Sequence, residues 1–237
     1  MKKFFTQGAA MFGMMCLLSG LLTSCLKNND NNHYVVPPVA LISAINASPD
    51  AQPVDFYLDQ NRANNFSIKS GESLDYIRAY TGKRTATFYV GGSQQKVKSD
   101  TITLKADKLY SLFLANQVST PDFLLIADSV SRPPEGKATV RFINLSPDAG
   151  AADLAIKGGA VLATGLTYKK YSAFIAVDGA TPYTFEIRKA GTTTVLFTLT
   201  DVTLKRNTIN TIWLQGLAAA TDVKKISAHT QENVYYY

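Results

Sequence analysis

Cysteine is nearly absent from this 237-residue chain: Cys16 and Cys25 stand alone, both close to the N-terminus. The rest of the chain can form no disulfide and offers no thiol. That excludes a cysteine nucleophile and a Cys-ligated zinc centre, and leaves apolar burial to stabilise the fold. Histidine is equally scarce. His33 and His229 have no partner at metal-ligand or triad spacing, so a Ser-His catalytic pair lacks support and neither a metal nor a cofactor is expected. No glycine-rich phosphate loop occurs; Gly91-Gly92 and Gly158-Gly159 read as hairpin turns. The formal charge is +6, yet no long run of basic residues carries it. Scattered lysines and arginines describe a solvated basic surface, not a nucleic-acid interface.

What is present begins with an export signal. Lys2 and Lys3 precede an interrupted apolar stretch from Phe4 to Leu22, too broken for a good spanning helix but suited to a signal peptide. It ends in Leu22-Thr23-Ser24-Cys25, which resembles the lipobox of bacterial lipoproteins: Leu, small residues, then the cysteine that receives lipid. Cys16 follows the bulky Met15 and is the poorer candidate. Residues 1–24 are therefore expected to be removed and Cys25 to be acylated, with palmitate-type chains holding the protein to a membrane. Two or more such chains anchor firmly. Residues 25–38, Asn-rich and then Pro-stiffened, read as a flexible tether that extends to about 40 Å. The expected location is the cell envelope, at the outer membrane of a Bacteroidetes-like cell, with the side of the membrane open.

The body repeats itself. Residues 40–51 and 138–149 lie 98 positions apart and share Ile-Asn-x-Ser-Pro-Asp-Ala. Asp55 matches Asp153 at the same spacing. Further pairs are Tyr76 with Phe174, Phe88 with Phe185, Phe113 with Trp213, Asp122 with Asp222, and Ile126 with Ile226. Val54, Phe56 and Leu58 alternate with polar or outward neighbours, as do Tyr183, Phe185 and Ile187. This is the pattern of half-buried antiparallel strands. Each repeat offers about seven such runs. The expected fold is all-β: two tandem antiparallel, immunoglobulin-like β-sandwiches at 39–131 and 137–230, joined through Ser131–Gly136, with a tail at 231–237.

The repeated motif reads first as a turn. Asn46 and Asn144 close a strand, Ser48-Pro49-Asp50 and Ser146-Pro147-Asp148 make the turn, and the aspartates bond amides downstream. The functional alternative is a carboxylate pair, Asp50 with Asp55 or Asp148 with Asp153, binding a cation or serving a hydrolase.

Residues 45–59, Ile-Asn-Ala-Ser-Pro-Asp-Ala-Gln-Pro-Val-Asp-Phe-Tyr-Leu-Asp, resemble the opening of the "domain of unknown function 4397" family, and residues from Ile143 resemble it again. Leu166-Thr167-Tyr168, Tyr171-Ser172-Ala173-Phe174 and Lys189-Ala190-Gly191-Thr192 fit its later segments. The resemblance implies β-sandwiches in bacterial envelope or secreted proteins. It implies no activity and carries over no site residues.

Among aromatics, Tyr76, Tyr80, Tyr168, Tyr171 and Trp213 are candidate sugar contacts, Trp213 reading better as core. Tyr57 and Tyr89 fall on outward strand positions and are the preferred ligand-facing pair. Thr101 after Asp100, and Ser129 after Asp128, resemble O-glycosylation acceptors. The sequence thus points to a non-enzymatic, lipid-anchored envelope protein presenting two β-sandwiches for protein interaction, adhesion or envelope assembly. A glycan-binding accessory module is the alternative, and a hydrolase a distant third.

Overall fold

The computed structural model describes residues 37–237, and among these no helix occurs. Eight strands form the first sandwich: β1 (Val39–Ala47), β2 (Val54–Leu58), β3 (Asn61–Arg62), β4 (Ile77–Tyr80), β5 (Gly82–Val90), β6 (Lys96–Leu104), β7 (Leu109–Ala115) and β8 (Asp122–Asp128). Eight more form the second: β9 (Lys137–Asn144), β10 (Ala152–Ile156), β11 (Val161–Leu166), β12 (Ile175–Asp178), β13 (Pro182–Lys189), β14 (Val195–Thr203), β15 (Thr208–Gln215) and β16 (Ser227–Tyr235). The first sandwich pairs sheets ordered β4-β1-β7-β8 and β3-β2-β5-β6; the second repeats this order as β12-β9-β15-β16 and β11-β10-β13-β14. The all-β, two-sandwich expectation holds. One ladder in each sandwich, β1 with β7 and β9 with β15, is parallel.

The sheets stack in four layers. Ala40, Ile42, Ala44, Leu112 and Leu114 of the first inner sheet meet Val54, Phe56 and Phe88 of its outer sheet. Val140, Phe142, Ile212 and Leu214 meet Leu154, Phe185 and Ile187 in the second sandwich. The opposite faces of the two inner sheets then close on each other. Ile45, Ala47, Phe113, Ala115 and Ile126 pack against Ile143, Leu145 and Trp213. Strands β1, β7, β9 and β15 are therefore buried on both faces, which explains why their sequences lack clean alternation. Residues Pro38–Tyr237 form one compact unit, rather than two bodies on a hinge.

The register corrects parts of the sequence alignment. Phe56 lies opposite Phe88, and its counterpart Leu154 lies opposite Ile187, so Phe88 corresponds to Ile187 and not to Phe185. Ala115 lies opposite Asp122 and Gln215 opposite Ser227, so Asp122 corresponds to Ser227 and not to Asp222. The connection from β15 to β16 is longer than that from β7 to β8, and Asp222 falls inside it. The expected tail also shrinks. Strand β16 continues to Tyr235 because Gln231 and Asn233 are buried at the joint between sandwiches.

Candidate functional site

The joint carries the densest polar chemistry in the described residues. Arg141 on β9 projects into the joint, on the side of the strand opposite Val140 and Phe142, and its side chain is 3% exposed. Its guanidinium meets Asp128 of β8, 0% exposed, at 2.6 Å, in an ion pair outside linear hydrogen-bond geometry. Arg141 Nε donates to Thr211 at 3.1 Å, Thr211 donates to Asn233 at 2.6 Å, Asn233 donates to the Tyr76 hydroxyl at 3.1 Å, and Tyr76 donates to Asp128 at 2.7 Å. The ring is closed and spans both sandwiches. Ser111 adds a bond to Asp128 at 2.8 Å, and Phe174 lies 4.8 Å from the guanidinium. Burial, and then the charge of Asp128, push the Tyr76 hydroxyl far above its usual range, so it stays a neutral donor.

Around the ring, Gln231 donates to Ser43 at 2.8 Å and Gln215 to Ser70 at 3.0 Å. Lys169 bridges to Asp122 at 2.8 Å. Burial raises the Asp122 carboxyl, but the bond and charge of Lys169 outweigh it and leave the group below its ordinary value. Tyr168 is pushed up to about 12, by burial first and by Asp122 second. His229 stacks on Trp213 at 5.7 Å, and burial lowers its affinity for a proton. Opposite lies Gly71, at φ 84°, where a Cβ would fall 2.2 Å from the imidazole. The lone histidine is thus a packing element of the joint. His33 lies outside the described residues, as do Leu22, Thr23, Ser24 and Cys25.

The motif residues hold turns. Asn46 donates to the Ile68 carbonyl at 3.1 Å and accepts from Ser48 N–H; Asn144 donates to Leu166 and Gly150 and accepts from Ser146 N–H. Pro49 and Pro147 follow within these turns. Ser48 and Ser146 hydroxyls reach Asp50 and Asp148 at 3.4 and 3.3 Å. Asp50 accepts the Val118 amide; Asp148 accepts those of Ala218 and Ala219. Asp153 accepts the Gly165 and Gly191 amides at 2.7 and 2.9 Å. Asp55 accepts more: Arg62 at 2.7 Å, Asn64 at 3.2 Å, Ser67 at 2.7 Å and the Gly92 amide at 2.9 Å. Burial alone would raise the Asp55 carboxyl, but these donors and the Arg62 charge hold it below its ordinary value. Among the described residues, no three metal-ligating side chains gather.

The structure does bring Tyr57 and Tyr89 together. They lie diagonally on the outer face of β2 and β5, rings 5.1 Å apart, edge to face and half-buried. Trp213 is fully buried, and its indole donates to Gln215 at 2.9 Å. Tyr80 and Tyr171 are largely exposed and Tyr168 is half-buried. Thr101 and Asp100 are both exposed on the edge strand β6, whereas Ser129 is exposed beside an Asp128 sealed in the joint. Sequence reasoning missed Phe66, which is 88% exposed next to a cleft of about 300 Å³. It lies between the two strand-like runs, where periodicity has nothing to report.

These features define an all-β protein of two fused sandwiches in which the repeated polar residues hold turns. Within it, residues 40–155 match the family described as "Domain of unknown function (DUF4397)". That stretch covers the first sandwich and continues into β10, and it supports the resemblance drawn from residues 45–59. No curated protein matches the chain in sequence. Among solved structures, the chain is similar to CBMbc (family CBM26) from Eubacterium rectale Amy13K in complex with maltoheptaose, at 8% identity and a TM-score of 0.27, over 83% of this chain and 97% of that one. A structure titled "Alpha-glucan binding by a streptococcal virulence factor" aligns at 13% identity and a TM-score of 0.24, over 80% and 96%. A family 41 carbohydrate-binding module from streptococcal virulence factors aligns at 10% and 0.22, over 73% and 92%. Similarity this low carries no inference about a ligand.

Proposed function

We propose that the chain is a lipid-anchored, non-catalytic binding protein of the cell envelope. Acylation falls on Cys25, residues 26–38 form the tether, and the fused double sandwich is the part that meets a partner. The observation that carries this reading is the use made of the motif carboxylates. Asp50, Asp55, Asp148 and Asp153 each accept amide hydrogens from their own chain, so the pairs that a hydrolase would deploy are engaged in holding turns. On this reading the second sandwich, with the same strand order and corresponding Asn46/Asn144 and Asp50/Asp148 turn contacts, is a further copy of the first domain. The expected site of attachment is the outer membrane.

The test is direct. Cells fed a labelled palmitate analogue should label the wild-type chain and not a Cys25→Ser variant, which should also leave the membrane fraction. Protease applied to intact and lysed cells then assigns the side of the membrane. A purified chain that turns over a substrate would overturn the non-catalytic part of the reading.

A second reading, glycan binding, is favoured by the paired Tyr57 and Tyr89 rings on an outer sheet face. Loss of glycan-array signal in Tyr57→Ala and Tyr89→Ala variants is the expected outcome; an unchanged signal removes that pair from consideration.

A further inference from the structure

The cleft beside Phe66 joins an exposed aromatic ring to a tightly bonded loop. A phenylalanine 88% exposed is unusual, because burying such a ring is favourable and soluble surfaces seldom leave one standing free. Here the backbone is clamped on both sides of it. Asn64, itself buried, accepts the Phe56 amide at 2.7 Å and donates to the Phe66 carbonyl at 2.8 Å. Ser67 is fastened to Asp55 at 2.7 Å. Ile68 pairs with Val54 through both its amide and its carbonyl, at 2.8 and 2.9 Å. The buried Asp55 cluster therefore serves as a base for a short loop whose outward product is one aromatic ring. Order imposed before binding reduces the entropy lost on binding.

The cleft itself supplies polar groups of a definite kind. Asn65, Glu72, Ser73 and Asp75 line it together with Phe66. Glu72 is partly neutralised by Lys69, whose amide bonds it at 3.1 Å and whose ammonium lies 3.7 Å away. Asp75 has no ion-pair partner among the described residues. The carboxylates ask for donors, Asn65 and Ser73 can both donate and accept, and Phe66 asks for an apolar face, a combination that a hydroxyl-rich ring supplies. We propose that this cleft binds a neutral, hydroxyl-rich sugar ring of a glycan, with Phe66 against its C–H face and Asp75 and Glu72 accepting from its hydroxyls. The assignment rests on the binding-protein reading and gives it a ligand class and a place other than Tyr57 and Tyr89. The second sandwich has no such site: Ile68 and Leu166 occupy corresponding places under Asn46 and Asn144, which sets Thr164 against Phe66, Lys170 against Glu72 and Ala173 against Asp75.

The test is calorimetric titration of the full chain with four soluble probes: maltohexaose, cellohexaose, xylohexaose and mannohexaose. At least one should bind, with little dependence on salt. Phe66→Ala should weaken that binding by about tenfold or more and Asp75→Asn should also weaken it, while Val223→Ala, at an exposed position of the second sandwich, should leave it unchanged. Both cleft residues are exposed, so an unchanged unfolding midpoint separates a lost contact from a lost fold. Binding by none of the probes overturns the proposal, as does a Phe66→Ala variant that binds like wild type. Sugar binding lost in Tyr57→Ala but kept in Phe66→Ala moves the site and leaves the binding reading standing. Salt-suppressed binding of hexalysine in place of sugar overturns the ligand class alone.

Discussion

The two sandwiches share a strand order and differ in how they spend their polar residues. In the second, β11 runs from Val161 to Leu166 and pairs along β10 through its backbone. In the first, the corresponding β3 is only Asn61–Arg62, and side chains replace the missing ladder. The Asn64 amide group takes the Phe56 N–H that a strand carbonyl would have taken, and Asp55 gathers Arg62, Asn64 and Ser67. Backbone pairing keeps a chain flat against its neighbour, whereas side-chain anchoring lets it leave the sheet and return. The first sandwich uses that freedom to display Phe66. The inner sheets diverge in a second way. Ser43 lies opposite Ser111 on β1 and β7, and Arg141 lies opposite Thr211 on β9 and β15, so the two occupy corresponding places. The first sandwich supplies Asp128 to the joint and the second supplies Arg141.

The contrast at the joint is the most breakable. Arg141→Ala leaves Asp128 buried without its counter-charge and should cost about 3–5 kcal/mol, whereas Ser43→Ala at the corresponding place should cost about 1 kcal/mol; urea unfolding of both measures the gap. Gly71→Ala comes next. Its backbone lies in the left-handed region and its Cβ would strike His229, so a loss of about 1–3 kcal/mol is expected. Lys169 holds the corresponding left-handed position, and Lys169→Ala should cost under about 1 kcal/mol because the Asp122 pair is part-exposed. A smaller difference separates the two buried aspartates. Asp55→Ala should destabilise more than Asp153→Ala, by about 1 kcal/mol, because it strands more donors.

Acid should sharpen that last comparison. The folded Asp55 carboxyl titrates below its unfolded value of 3.8, so its contribution is complete above that value and disappears as pH falls through the lower folded one. Stability curves taken on the acid side should therefore lose part of their slope in Asp55→Asn. The smallest effect belongs to His229. Burial lowers its folded pKa beneath the unfolded 6.5, so stability is complete above 6.5 and erodes as pH falls through the folded value. The decline should be absent in His229→Gln when urea midpoints are compared across that window.

Much of this architecture is legible in the residues, and the exceptions have causes. Alternation in Val54–Leu58 and Tyr183–Ile187 announces half-buried strands. Val39–Ala47 and Thr208–Gln215 lack that alternation because they are buried on both faces, polar residues included, and only the packing of the inner sheets makes that meaning plain. Trp213 reads as core from its neighbours, but the core it joins lies between sandwiches. Arg141 interrupts an apolar run with a charge whose partner, Asp128, is distant along β8; no local pattern links them. Phe88 and Phe185 mislead because both are phenylalanines on corresponding strands, two positions out of register. Phe66 is invisible to periodicity because a loop has none, although the polar Asn64-Asn65 before it and Ser67 after it mark a segment that anchors itself with side chains.

The closed ring at the joint also decides which surfaces will not associate. Two first sandwiches joined in the same way would set Asp128 beside Ser43, with no cation to meet it. Two second sandwiches would leave Arg141 with no carboxylate. Only unlike halves neutralise each other, so an internally repeated chain acquires a grammar of assembly: each half completes the other and refuses a copy of itself. Molecules that open at the joint would find a like half to be a poor substitute for their own.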